Sequence, residues 1–438
     1  MTGRTRNVGG LVSALEPALR TFDGIWLGWS GREGEGRTVT IDVETRPARA
    51  TFDLTPHQRL HFYSGFCNRA LWPLLHAFPT RVRSRDEDWK TYVKVNHMFA
   101  QHALDLVARD GMIWVHDYHL LLLARAARDQ GHPGPIGLFV HVPFPQPDVF
   151  ETLPWSDEIV RSLGDYDLIG FHTEQWADNF RACVKSYERR NHRLARMPHV
   201  GVLPIGIDPM SFAEPTDEIE REIGGLAAAL GKRRMILGVD RLDYAKGIPQ
   251  RLLAFEAMLE RYPEWRGKVG LVQISVPSRE EVPEYAELRS TVEKLVGRIN
   301  GRFGEADWVP VRYLYRSFER HVLAQLYRLA DVALVTPLRD GLNLVAKEFV
   351  AAQRPDQPGV LVLSRFAGAA AELHDAVLTN PYHPDGLAAD LDFALRMPIA
   401  ERQRRHAKLA AAVAETTPNR WAQAFLGRLR EANSTVVA

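Results

Sequence analysis

The stretch Met235-Ile-Leu-Gly-Val-Asp-Arg-Leu-Asp-Tyr-Ala-Lys-Gly-Ile-Pro249 holds one complete strand-to-helix turn. Met235 to Val239 is an apolar run of strand length, and helical sequence begins near Pro249. Arg241 and Lys246 therefore flank a turn that opens on helix amides, a geometry suited to a diphosphate.

Outward from this turn, similar apolar runs recur with helical sequence between them: Met112 to Val115, Ile136 to Val142, Asp167 to Phe171, Val200 to Leu203, Val269 to Ile274, Val332 to Val335 and Val360 to Leu363. They are rich in Val, Ile and Leu and lack a polar alternate face. Strands of that kind are covered on both sides, and their alternation with helices reads as parallel sheet with crossovers. The fold class expected is α/β, with two doubly wound Rossmann-like domains facing a cleft. A chain of 438 residues supports two such cores. The expected division is 1–212, 213–398 and a terminal pair of helices, 399–438, returning to the first domain. In open sheets of this type ligands sit at the carboxyl ends of the strands.

Lys plus Arg number 55 against 54 Asp plus Glu, a formal net charge of +1. No global field exists to hold nucleic acid or an anionic membrane, so phosphate recognition must be local. Cys67 and Cys183 make neither a disulfide framework nor a metal cluster, which sets cytoplasmic residence as the default. The first residues lack the apolar core of a secretion signal, and no run is long enough to span a bilayer.

A second string, Thr-Pro-Leu-Arg-Asp-Gly-Leu-Asn-Leu-Val-Ala-Lys-Glu at 336–348, also joins an apolar run to a helix. Gly341 permits close approach of a ligand to the backbone, while Asn343, Leu344 and Val345 present amides at a helix opening. Asp340 and Glu348 add carboxylates for sugar and ribose hydroxyls; for Glu348 the bland alternative is capping of the first turn. Val-His-Asp-Tyr-His-Leu at 115–120 offers Asp117 to a polyol hydroxyl. His116 and His119 lack the third ligand that zinc requires. The prolines of 139–147 fix an extended loop that presents His141. Asp165-Tyr166-Asp167 matches a three-residue metal pattern but runs straight into Leu-Ile-Gly-Phe, so it reads as a strand entrance with no catalytic metal.

These strings, with Gly24 to Gly31, Asn68 to Pro73, His116 to Leu122, His141 to Pro147, Leu168 to Glu174, Leu203 to Pro209, Arg298 to Gly301 and Gly359 to Ala369, resemble the trehalose-6-phosphate synthase family from Val8 almost to the carboxyl end. The resemblance implies a retaining glycosyltransferase that moves glucose from a nucleoside diphosphate glucose to glucose 6-phosphate. It implies diphosphate contacts from Arg241 and Lys246, a donor-sugar clamp from Asp340 and the amides after it, and a ribose contact from Glu348. It also implies an acceptor-phosphate site of Tyr63, Trp72 and Arg298, hydroxyl contacts from Asp117 and His141, and a mobile donor loop at Gly9-Gly10. No cofactor is expected beyond the substrates, and a separate phosphatase is expected for the product. Oligomeric state is open, a homo-oligomer included.

Two departures stand out. Family members begin with an apolar strand ending in Ser-Asn-Arg, which is absent ahead of Gly9 here; a start set too far downstream or a shortened chain is favoured over a natural variant with altered acceptor handling, because the other motifs are intact. At 314–318, near the donor base in the family, Tyr315 and Arg316 stand where a side-chain amide is common, which leaves uridine, adenosine and guanosine open. The alternatives are a synthase for another phosphorylated acceptor, such as glycerol 3-phosphate or a cyclitol phosphate, and a non-catalytic sugar-nucleotide-binding subunit.

Overall fold

The computed structural model describes residues 24–36, 38–190, 193–194, 196–213 and 221–434. Among these the chain forms two compact units, one of 24–205 with 418–434 and the other of Gly206–Thr417. The division thus falls at Gly206, whereas the sequence placed it near 212, and the terminal helices part company. Ile399–Glu415 stays with the second unit, where His406, Leu409 and Val413 are buried and His406 Nε2 lies 3.1 Å from the Val350 carbonyl. Only Pro418–Ser434 joins the first unit. Helical spacing reveals an apolar stripe but not which unit it covers.

In the first unit β1 (Ile25–Glu33), β2 (Thr40–Asp42) and β3 (Ala48–Leu54) form a small sheet in the order β1-β3-β2. A second sheet, all parallel, runs in sequence order through β4 (Ile113–His116), β5 (Ile136–Phe139), β6 (Leu168–Phe171) and β7 (His199–Val202). Every residue of β5 and β6 is buried, as expected of strands covered on both faces. The carboxyl-terminal helix supplies part of that cover: Trp114 packs against Phe425 at 4.7 Å and Trp421 at 4.9 Å between ring centroids, and Phe139 meets Trp421 edge-on at 4.9 Å.

In the second unit six parallel strands are ordered β10-β9-β8-β11-β12-β13. They are β8 (Arg234–Arg241), β9 (Val269–Val276), β10 (Val311–Leu314), β11 (Val332–Val335), β12 (Val360–Ser364) and β13 (Val377–Thr379). The order reverses between β8 and β11, and the crevice outside the carboxyl ends of two such strands is where open α/β sheets bind ligands. Gly206 and Thr416, at the two ends of this unit, pack so tightly that a Cβ on Gly206 would lie 1.6 Å from the Thr416 carbonyl oxygen.

All eight runs read as strands correspond to strands, β4 to β9, β11 and β12. Those not anticipated are the three strands of the small sheet, where β2 is exposed throughout and β3 alternates buried with part-exposed residues, and β10 and β13, which close the two ends of their sheet. Among the described residues no helix is long and apolar enough to cross a membrane.

Candidate active site

The switch point of the second unit is built by the loops after β8 and β11. β8 ends at Arg241. Asp243 Oδ1 then accepts the Ala245 amide at 2.9 Å, capping the single turn Tyr244–Lys246. Gly247 follows with φ +66°, and a Cβ there would meet the Thr336 carbonyl oxygen at 2.2 Å, so glycine is required twice over. Helix Ile248–Arg261 begins at once.

Lys246 Nζ reaches across to Asp340 Oδ2 at 2.5 Å, and Asn343 Nδ2 donates to the same oxygen at 3.0 Å. Asp340 is held by its own backbone as well: its amide donates to the Phe366 carbonyl at 3.1 Å and its carbonyl accepts the Gly368 amide at 3.1 Å. Asn343 takes a left-handed conformation, φ 80°, to open helix Leu344–Ala352, which puts buried Gly341 beside the first-turn residues Leu344 and Val345. First-turn amides have no intrahelical carbonyl, and with the helix dipole they favour an anionic group.

Beneath these loops lies a buried polar joint. Arg251, 0% exposed, forms an ion pair with Asp240 at 2.7 Å, donates to Gln273 Oε1 at 2.8 Å and to Thr336 Oγ1 at 3.1 Å, tying β8, β9 and the end of β11 together. Burial pushes the Asp240 carboxyl up, and the Arg251 charge opposes that. In the loop after β9, Arg279 (φ 50°) donates to Asp243 Oδ2 at 2.9 Å and lies 2.5 Å from the Tyr285 hydroxyl, which also donates to Asp243 at 3.1 Å. The cap residue Asp243 is therefore itself anchored from β9, a contact between residues 36 positions apart that no local motif announces.

Glu348 is neither a first-turn cap nor a carboxylate with both oxygens open. Its Oε2 accepts the hydroxyl of Tyr327 at 3.0 Å. Burial pushes its carboxyl above the ordinary range, offset in part by that hydrogen bond and by the Arg320 charge. Tyr327, buried in turn, is raised well above an ordinary phenol by burial and by the Glu348 charge.

Arg298 calls for a correction. It lies late on helix Pro283–Phe303 and pairs with Glu256, in the middle of the neighbouring helix, alongside Arg302, which pairs with Glu260. It is therefore set along the helix pair and away from the strand ends. The cation that the second unit does place at the carboxyl edge of β9 is Arg279. In the 314–318 stretch, Tyr315 donates to Glu280 at 2.8 Å beneath the Arg289 guanidinium, 4.1 Å from the ring centroid.

In the first unit the expected residues gather after β4 and β5. Asp117 follows β4 with φ 69° and ψ 176°, a conformation costly for a residue with a side chain and concentrated at functional sites. Its amide donates to the Phe139 carbonyl at 2.7 Å, and its Oδ1 accepts the His141 amide at 3.2 Å. His116 Nδ1 stands 3.2 Å from His141 Nε2. Tyr63, on the π-helical segment Arg59–Leu71, stacks on His119 at 6.1 Å and packs on Trp29 at 5.4 Å. Trp72 is 5% exposed, with its ring 5.8 Å from Tyr118. Asp167 is consumed by Arg128 at 2.7 Å and Arg196 at 2.6 Å, as befits a strand entrance. Gly9 and Gly10 lie outside the described residues.

A cavity of about 480 Å³ opens at the opposite, amino-terminal edge of β8 and β9, lined by Lys232, Arg233, Arg234, Trp265, Gly267 and Lys268. Its cations follow helices ending at Leu230 and Arg261, where positive charge offsets the helix dipole. A structural role accounts for them.

Residues 2–431 match the model of glycosyltransferase family 20. A trehalose-6-phosphate synthase of Salmonella paratyphi B is 42% identical over 433 residues, covering 97% of this chain and 91% of the relative. Among solved structures, an α,α-trehalose-phosphate synthase (UDP-forming) from Burkholderia xenovorans in complex with glucose 6-phosphate superposes with TM-score 0.92 at 39% identity, covering 98% of each chain. A structure from E. coli bound with UDP-2-fluoro glucose gives TM-score 0.92 at 39% identity, covering 98% of this chain and 97% of the other.

Proposed function

The chain belongs to glycosyltransferase family 20, and on that premise we propose that it transfers glucose from UDP-glucose to glucose 6-phosphate, with retention at the donor carbon, forming trehalose 6-phosphate. The observation that carries the reading is the junction of Lys246, Asp340 and Asn343 at the switch point of a six-stranded parallel sheet. The complexes of the two solved relatives support the choice of donor and acceptor.

In this reading Arg241 and Lys246 stabilise the departing diphosphate together with the first-turn amides of Leu344 and Val345, so the rate comes from positioning and electrostatics. Asp340, with Gly341 and Asn343, holds the donor glucose. Glu348 takes a ribose hydroxyl on the oxygen that Tyr327 does not use, and Gly10 belongs to the donor loop. His141 and Asp117 orient sugar hydroxyls, and Tyr63 and Trp72 border the acceptor. A phosphate oxygen of the leaving group takes the proton of the incoming hydroxyl on the same face of the sugar, so no second carboxylate is needed for a double displacement. Cytoplasmic residence fits two buried free thiols, and the product passes to a separate phosphatase.

The test is a transfer assay with glucose 6-phosphate and the uridine, adenosine and guanosine diphosphate glucoses, with product mass and anomeric configuration read by NMR. An α,α-linked phosphodisaccharide made fastest from the uridine donor is expected. Transfer only to another phosphorylated acceptor, or donor binding without turnover, would replace the reading.

A further inference from the structure

We propose that His116 is a positioning residue for the transfer: its Nδ1, 3.2 Å from His141 Nε2, holds the ring of His141 and couples the tautomer of His141 to its own, so that Nδ1 of His141 is presented to a sugar hydroxyl in a set orientation. The inference rests on the reading of His141 as a substrate contact and concerns what makes that contact possible.

The two rings lie nearly parallel, with centroids 5.5 Å apart and planes 22° from each other. Aromatic groups wall them in. Trp114 packs on His116 at 4.5 Å, Phe139 on His141 at 4.7 Å, and Trp421 of the carboxyl-terminal helix stands 6.1 Å from His116 and 5.9 Å from His141. Those walls disfavour charge: burial pulls His116 down to about 3, while burial and the neighbouring His172 and His116 hold His141 well below the ordinary imidazole range.

Two neutral imidazoles at this distance can share only one proton between the facing nitrogens, because two lone pairs or two N–H groups would repel. The protonation of His116 Nδ1 therefore dictates that of His141 Nε2. A neutral ring carries one N–H, so it dictates His141 Nδ1 in turn. The main chain of His141 is fixed separately, by its amide bond to Asp117 Oδ1, which leaves ring rotation and tautomer as the freedoms that His116 constrains.

The atom that matters is Nδ1 of His116, which the side-chain amide of Asn can imitate in position whereas that of Gln reaches toward Nε2. The experiment compares His116→Asn, His116→Gln and His116→Leu with His141→Ala, under saturating substrates. Expected for His116→Leu and His116→Gln is a fall in kcat on the order of ten- to a hundredfold, the cost of a misoriented contact. Expected for His116→Asn is recovery to within about threefold of the parent, at a melting temperature no higher than that of the Gln variant. Equal losses in all three would make the role one of packing and overturn the proposal, as would full activity in His116→Leu. Nitrogen-15 NMR of labelled histidine reads the pairing itself: complementary tautomer fractions of the neutral His116 and His141 rings are expected in the parent, and a changed His141 fraction in the Leu variant. An unchanged His141 tautomer fraction in the Leu variant overturns the proposal even if activity falls. Unchanged kcat in His141→Ala, with the tautomer result intact, would instead overturn the reading of His141 as a substrate contact.

Discussion

Glu348 is stabilised by little and yet kept charged at neutral pH only at a cost. A carboxyl raised by burial binds its proton more tightly when folded, so its effect on stability is least harmful below the ordinary value of about 4.3 and becomes unfavourable as pH rises through the folded value. Glu348→Gln is accordingly expected to melt higher than the parent at pH 8, with the difference shrinking as pH approaches that ordinary value, while affinity for the uridine donor falls. Thermal melts at two pH values with donor titrations would check both halves; a lower melting temperature at pH 8 would reject the cost assigned to burial. For Arg241→Ala and Lys246→Ala, turnover is expected to fall at least about a hundredfold each, the usual penalty for losing a donor to transition-state charge. Steady-state kinetics decide, and parental kcat in either variant removes that residue from the mechanism. At this scale the sequence showed the residues but not their partners. Lys246 and Asp340 stand 94 positions apart, and Tyr327 precedes Glu348 by 21, so neither pairing has a local signature. For Arg298, the resemblance of its string to the family's implied a ligand, and only the place of its partner Glu256, midway along the neighbouring helix, shows that it is set away from the strand ends.

Between elements, the most exposed weakness of the second unit is the buried joint at Arg251. Removing one member of a buried ion pair leaves the other charge without compensation, at about 3–5 kcal/mol. Arg251→Ala is therefore expected to destabilise the second unit by roughly that amount in denaturant titrations, because Asp240, Gln273 and Thr336 lose their common partner. Denaturation at the parental midpoint would show that the joint is dispensable. Elements were legible in the sequence where burial on both faces writes an uninterrupted apolar run, as in β5, β6 and β11. They were not where a strand is an edge: Val-Arg-Tyr-Leu in β10 carries polar groups because one side has no neighbour.

For the molecule as a whole, the return of Pro418–Ser434 to the first unit makes the carboxyl terminus part of that unit's core, with Trp421, Phe425 and Leu429 at or below 3% exposure. A chain stopped after Thr417 is expected to express as aggregate or to unfold its first unit at lower temperature, since Trp114 and Phe139 lose their cover. Calorimetry on the shortened chain, with the second unit's transition as internal reference, would check it. The doubly wound class was readable from strand composition, but the unequal fate of the two terminal helices was not, because both carry the same amphipathic spacing.

The contact of Gly206 with Thr416 carries one consequence more. It sets residues 206 and 416 of the second unit side by side, so the chain enters and leaves the 206–417 stretch at neighbouring positions. Lys347, fully buried between Glu372 and the Thr416 hydroxyl, bolts the exit to the helix that carries Glu348. A stretch built in that way is a natural cassette: residues 206–417 could be exchanged between relatives through two neighbouring joins, and a graft would carry Lys246, Asp340, Asn343 and Glu348 together while leaving the first unit's core uncut.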